Sequence, residues 1–206
     1  MHQTRQTVST KLPIPRKGTK YVARAKMHVL NSVPVLLAVR DMLKLAQTLK
    51  EVKSMINEKL LKINGRSVRD YRESIGLFNL LEADKLYRLT LLPTGKFTFE
   101  EANIKEGRLC KVLNKHILPG GKVQLNLHDG SNVITKDKIA TQDSVYLDLE
   151  GNIKKHVALE KGKEVFTLTG RHQGDSGKVT SVTKTHATIN YKETSAVLKK
   201  SAVIAL

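Results

Sequence analysis

The chain has 206 residues, enough for one or two ordinary domains or three small ones, and it carries a formal net charge of +17 with a pI near 10.0. A charge of that size works against compactness through self-repulsion and points to a polyanionic partner. The single cysteine, Cys110, excludes an internal disulfide or a cysteine-rich zinc site, and the longest uncharged apolar run, Val33 to Val39, is too short to span a bilayer.

The charge is unevenly placed. Residues 1–40 hold eight Lys or Arg and no acid, 41–92 carry a net +3, 93–160 only +1, and 161–206 again +5. Residues 1–27 are basic and hydroxyl-rich, broken by Pro13, Pro15 and Gly18. That composition also suits an organellar transit peptide, but two prolines and a glycine break the amphipathic helix such a peptide needs. A basic arm, disordered alone and folding onto nucleic acid, explains the same features; its candidate contacts are Arg16, Lys17, Lys20, Arg24 and Lys26.

The pattern from Val33 to Ala46 predicts a helix with Pro34 in its first turn, Leu36, Val39 and Leu43 on one face and Arg40, Lys44 and Gln47 on another. Thr48 and Glu51 form a capping box for a second helix that buries Val52, Met55 and Ile56 and ends near Asn57. Asn64 and Gly65 then predict a two-residue type I′ hairpin, because both positions require positive φ. Leu61, Ile63 and Val68 give it an apolar side, and Lys62, Arg66, Arg69 and Arg72 a cationic one. Arginine grips phosphates through paired hydrogen bonds and stacks on bases, so a rigid turn carrying three of them predicts an RNA contact surface.

From residue 86 onward short apolar runs at 86–92, 109–113, 123–127, 145–149, 165–168 and 187–191 predict strands. They are separated by turn signals at Pro93–Gly95, Pro119–Gly121, Asp129–Gly130 and Glu150–Asn152, as in small barrels or sandwiches. No long helix is expected after residue 60, although 100–106 could form about a turn. After the run at 165–168, Gly170, Gly174, Gly177 and Val179 give the spacing G-x3-G-x2-G-x-V, with Arg171, His172 and Lys178 decorating the loop. Three glycines in eight residues permit tight turns and close backbone approach. The spacing fits neither a P-loop nor a dinucleotide turn.

These segments resemble known families. Residues 33–79 are similar to the αL RNA-binding domain, on the helix pair, Leu60 to Ile63, Asn64, Gly65, Val68 and Arg69. The Gly170–Val179 spacing resembles the KOW motif of ribosomal proteins and transcription elongation factors. The two in this order resemble the archaeal and eukaryotic type of the fourth small-subunit ribosomal protein. Pro13 to Lys17, Pro34 to Lys44, Gly65 to Tyr71 and Gly120 to Gly130 agree with it, and the resemblance covers nearly all of 11–206. Residues 1–10 lack the family's Lys/Arg-rich opening with its Ala-Pro and Trp, and Ala23 to Val29 replace a proline-rich segment, though the charge is retained. The resemblance implies an α+β, multi-module protein: a basic arm (1–27), an αL domain (28–92), a central β-rich domain (93–160) and a KOW, SH3-like barrel (161–206). It implies a structural constituent of the small ribosomal subunit in the cytoplasm, binding ribosomal RNA and neighbouring ribosomal proteins, with no cofactor, metal, membrane or small-molecule substrate.

No enzyme is expected. The seven histidines are scattered without metal-ligand spacing, there is no G-x-S-x-G elbow, and His128–Asp129 reads as part of a turn. Two rival readings stand beside the ribosomal one. An RNA-modifying enzyme would need a catalytic domain for which no residues remain. An accessory or transcription elongation factor carrying a KOW barrel would ordinarily have a different domain ahead of it.

Overall fold

The computed structural model describes residues 2–103, 107–191 and 194–206. It divides into two units, Met1–Lys105 and Glu106–Leu206. The described residues are mostly β, with helix confined to a few short pieces.

The N-terminal segment, expected to lack order alone, is folded back on itself. Strand β1 (Gln3–Thr4) pairs antiparallel with β2 (Tyr21–Val22). Between them the Arg5 guanidinium donates to the carbonyls of Thr19 (2.8 Å) and Pro15 (2.6 Å) and to the Thr19 hydroxyl (3.0 Å). Leu12 and Ala25 are buried, and the Phe97 N–H donates to the Lys11 carbonyl at 2.8 Å. A single arginine satisfying three oxygens, with two apolar anchors, gives the segment its order despite its charge.

Strand β3 (Ser32–Pro34) leads into α1 (Val35–Leu37), far shorter than the expected helix. The chain widens at once into a π turn, Ala38–Met42, where the Leu43 N–H reaches the Ala38 carbonyl, and Lys44 closes it at φ +57°. Every residue from Val33 to Val39 is buried. The run is therefore an apolar plug surrounded by protein, and its packing overrides helical propensity. Arg40 and Lys44 consequently do not share a helical face.

Helix α2 (Leu49–Asn57) starts and ends as the sequence predicts. The Glu51 N–H donates to Thr48 Oγ1, while the Glu51 carboxylate accepts from the Gln47 N–H at 2.8 Å and the Thr48 hydroxyl at 3.0 Å. Those donors hold the Glu51 carboxyl below its ordinary value. Val52 and Ile56 are its buried face. Strands β4 (Lys62–Ile63) and β5 (Arg66–Ser67) form the hairpin, with Asn64 at φ +52° and Gly65 at +81°. β6 (Ser74–Gly76) pairs with β3. β7 (Leu80–Glu82), β8 (Leu86–Leu91) and β9 (Phe97–Glu101) complete an antiparallel sheet of order β5-β4-β7-β8-β9. Leu61, Ile75, Leu81 and Leu89 of this unit are fully buried, each contributing roughly 1.5–3 kcal/mol of transfer free energy. The turn allowed for at 100–106 is strand at Glu100 and Glu101, and residues 104–106 lie outside the described residues.

The second unit holds two five-stranded sheets. In the first, β10 (Arg108–Ile117) pairs with β13 (Ser144–Leu147) through its first half and with β11 (Val123–Leu127) through its second. The register breaks between Val112 and Asn114. β12 (Asn132–Thr135) and β14 (Ile153–Val157) are the edges. The second sheet has the order β18-β17-β16-β15-β19, from β15 (Glu164–Thr167), β16 (Ser176–Val182), β17 (His186–Asn190), β18 (Ser195–Lys199) and β19 (Val203–Ala205). The sheets are sewn together by buried polar bonds. The Ala205 N–H donates to Ser144 Oγ at 3.0 Å, and the Lys111 ammonium donates to the carbonyls of Lys200 and Val203. Burial pulls the Lys111 pKa down to about 8, and the two carbonyls compensate its charged form.

Asp129 is more than a turn residue. Its carboxylate, 1% exposed, is ion-paired with the buried Arg108 guanidinium and accepts from the Ser131 N–H (2.9 Å) and hydroxyl (2.6 Å). Burial alone would raise this carboxyl, but Arg108 and the Ser131 donors outweigh it and hold the group below its ordinary value. Cys110 is buried beside the pair, and burial pushes its thiol far up, so it is a packing residue.

Candidate nucleic-acid interface

In the first unit the cationic surface is built around residues 66–73, a segment pinned at many points. The orphan N–H groups at the start of α1, on Val35 and Leu36, donate to the carbonyls of Glu73 (3.0 Å) and Tyr71 (2.9 Å). The Lys26 N–H donates to the Arg72 carbonyl at 2.9 Å. Within the segment the Arg72 N–H donates to Asp70 Oδ1 at 3.0 Å, and the Arg69 N–H to Glu73 Oε1 at 2.9 Å.

The two carboxylates organise the cations. Glu73 also accepts from the Arg66 guanidinium at 3.1 Å. Asp70 lies 3.8 Å from the Lys26 ammonium and 3.6 Å from Arg72 Nε. Arg66 and Lys26 nevertheless keep 72% and 66% of their side chains exposed, so both remain free to meet a polyanion. Arg69 is exposed and has no acidic side-chain partner among the described residues.

Next to this segment is a cavity of about 520 Å³, lined by Lys26, Lys53, Asn57, Arg69, Asp70 and Tyr71 together with Ile56 and Arg72. The Lys53 ammonium lies 5.4 Å and the Arg72 guanidinium 5.3 Å from the centroid of the Tyr71 ring, within cation–π range. Lys53 and Tyr71 are absent from the sequence-derived candidates. Tyr71 had a usable signal, an aromatic between Arg69 and Arg72, three residues apart; Lys53 had none, being one of two lysines on an exposed helix.

The other candidates are dispersed. Lys62 pairs with Glu82 at 3.5 Å on the hairpin. Arg40 is half-buried and held by Asp41 through two hydrogen bonds of 3.0 and 2.8 Å, which raise its pKa further. Lys44 is exposed on the left-handed residue after the π turn. Arg16, Lys17 and Lys20 are exposed along the folded-back N-terminal segment, Lys20 at 5.5 Å from the Tyr21 ring, and Arg24 is half-buried.

In the second unit Arg171 and Lys178 are exposed, one in the loop between β15 and β16 and the other on β16. His172 is stacked on Tyr191, with ring centroids 4.3 Å apart and planes at 12°, and lies 3.8 Å from Asp175. Tyr191 is fixed in turn by the Thr167 hydroxyl at 2.7 Å. The histidine thereby ties the glycine-rich loop to the end of β17. Among the described residues no group of three or more His, Cys, Asp or Glu could hold a metal ion, and no helix is long and apolar enough to cross a membrane.

A basic, mostly β chain that gathers its cations on pinned turns is built as a ribosomal protein is. The model of the ribosomal family S4e matches residues 83–153. The small ribosomal subunit protein eS4 of Methanocella arvoryzae is 32% identical over 188 residues, 88% of this chain and 80% of its own length. That of Archaeoglobus fulgidus is 33% identical over 187 residues, with the same coverage. The crystal structure of the 30S ribosomal protein S4e from Thermoplasma acidophilum has the same fold, with a TM-score of 0.72 over 85% of this chain and 95% of that one at 24% identity. The chain belongs to the ribosomal S4e family.

Proposed function

We propose that this chain is a structural constituent of the small ribosomal subunit, working in the cytoplasm, where it binds and stabilises folded ribosomal RNA beside neighbouring ribosomal proteins. The observation that carries the reading is the pinned segment 66–73. A rigid backbone there presents Arg66, Arg69 and Arg72 without an ordering cost at the moment of binding. Residues 28–92 act as an αL module and 161–206 as a KOW, SH3-like module, with Arg171, His172 and Lys178 on its glycine-rich loop. The N-terminal residues 1–27 add Arg16, Lys17, Lys20, Arg24 and Lys26, while Arg40, Lys44 and Lys62 extend the cationic surface. The near-neutral stretch 93–160 serves as a spacer or meets a neighbouring ribosomal protein. Lysine and arginine displace counterions from phosphates, and the shape of the turns selects folded RNA over an extended polyanion.

Sedimentation of a native lysate through a sucrose gradient tests this. The protein is expected with the small subunit and to stay there through moderate salt. Recovery at the top of the gradient, or with RNA polymerase, would overturn the assignment.

A further inference from the structure

We propose that the cavity beside Tyr71 is a pocket for one unpaired RNA nucleotide, its base laid against the Tyr71 ring and its phosphate held by Lys53 and Arg69. The inference deepens the RNA-binding reading above and rests on it. The cavity is open to solvent and its volume, about 520 Å³, is enough to admit one nucleotide. Its chemistry is that of a nucleotide. Four of its lining side chains are cationic, and the one acid, Asp70, is already engaged by Lys26 and Arg72. Lys53 and Arg69 have no carboxylate partner among the described residues, so a phosphate would supply the charge they lack.

Tyr71 supplies the stacking surface. Its ring is already contacted by the Lys53 and Arg72 cations, and aromatic rings with flanking guanidinium planes are what splayed RNA bases stack on. The Asp70 carboxylate and the Asn57 amide offer acceptors to the amino group of a base. The walls are preorganised. Residues 69–73 are fixed by backbone bonds from Lys26, Val35 and Leu36, and Asn57 ends a helix anchored by buried Val52 and Ile56. An open, concave site with such walls has room for an extruded nucleotide.

The test uses the full chain and three RNA hairpins of one sequence: fully paired, with a single bulged 2-aminopurine, and with an abasic residue at the bulge. The bulged hairpin is expected to bind about tenfold tighter than the other two, toward the low end of what stacking one base contributes, with quenching of the 2-aminopurine fluorescence. Tyr71→Leu should reduce that ratio to about one and abolish the quenching, and Tyr71→Phe should keep both. Because Tyr71 is half-buried, Lys53→Gln on the exposed helix surface serves as a second variant, expected to reduce the ratio severalfold. Equal, salt-sensitive binding of all three hairpins without quenching would overturn the pocket and leave the RNA-binding reading intact. Absence of binding to any hairpin would overturn both.

Discussion

Gly177 is buried on β16, at an ordinary backbone angle, and it faces neighbours with no room for a side chain. A Cβ added there would lie 2.7 Å from Ile189 Cγ2, 2.8 Å from the Asn190 carbonyl oxygen and 3.1 Å from Tyr191 Cδ1. None of the three can move freely. Ile189 is fully buried, Asn190 is held in the β16–β17 ladder opposite Lys178, and Tyr191 is fixed by Thr167 and the His172 ring. Forcing a methyl into such packing costs about 1–3 kcal/mol, and restricting the unfolded chain offsets about 0.4–1 of it. Gly177→Ala should therefore destabilise this sheet by about 1–2 kcal/mol. Gly170 provides the contrast, since a Cβ there meets nothing within 4 Å but the residue sits at φ +98°. Its alanine variant should lose about 1 kcal/mol through backbone strain alone, without disturbing the Tyr191 ring. Peptide-resolved amide exchange on the full chain separates the two. In Gly177→Ala, peptides across 176–190 should exchange about tenfold faster while those across 61–82 are unchanged, every 1.4 kcal/mol being a factor of ten. Wild-type or slower exchange at 176–190 would refute the steric argument.

Four further outcomes are expected. Arg66→Glu with Arg69→Glu should lower the slope of log affinity against log salt by roughly 0.7–0.9 for each phosphate no longer neutralised, read by filter binding to a ribosomal RNA fragment between about 50 and 200 mM salt; an unchanged slope would remove the hairpin from the interface. Arg108→Leu leaves Asp129 buried without its counter-charge and should cost about 3–5 kcal/mol at neutral pH. In the wild type the depressed Asp129 carboxyl contributes stability above the unfolded carboxyl's pKa near ~3.9, lost as pH falls through the folded value. In the variant burial raises that carboxyl instead, so the deficit should shrink on acidification, and a deficit that grows between pH ~7 and ~4.5 in urea melts would refute this. Lys111→Met keeps the aliphatic stem but removes the ammonium donor from the Val203 carbonyl and one of the two donors to the Lys200 carbonyl, which keeps the Val203 N–H, lowering stability by about 1–3 kcal/mol, with accelerated exchange at 203–205 as the readout. Asn64→Ala should lose about 1–2 kcal/mol, from strain at φ +52° and from the bond its Oδ1 accepts from the Leu80 N–H (2.9 Å); Asn64→Gly should recover only the first part, as thermal melts of both would show.

The features legible in the sequence are those fixed within a few residues. Thr48 and Glu51 cap α2, Asn64 and Gly65 turn β4 into β5, and each Pro/Gly turn signal from Pro93 to Asn152 falls between paired strands. What escaped depends on distant neighbours. The end of α1 is set by burial on all sides, which a periodic pattern does not encode. β14, with Lys154, Lys155 and His156 exposed in the middle of its five residues, exists because β13 pairs with it and not because it is apolar. Arg108 and Asp129 are twenty-one residues apart and meet only after β10 and β11 pair. The cavity draws Lys26, Lys53 and Tyr71 from three separate segments, so only the arginines of the hairpin itself could be read as a cluster.

Several acids of the first unit each meet a single cation, Asp41 on Arg40, Glu82 on Lys62 and Glu101 on Lys85. Two do more: Glu73 takes both Arg66 and the Arg69 N–H, and Asp70 takes Lys26, Arg72 and the Arg72 N–H. Exposed ion pairs of this kind add at most about 1 kcal/mol each to stability, so folding gains little from them. Under the proposed RNA-binding reading, their effect falls on binding. Immobilising a long cationic side chain against a partner costs about 0.5–1.5 kcal/mol, and a side chain already held by a carboxylate has lost that freedom beforehand. Two acids thus offset only two of the unit's positive charges while fixing the approach of three cations and the backbone of a fourth. Of the four cations lining the cavity, Lys53 and Arg69 have no acid partner among the described residues, so under the proposed reading an RNA phosphate would supply the missing charge there.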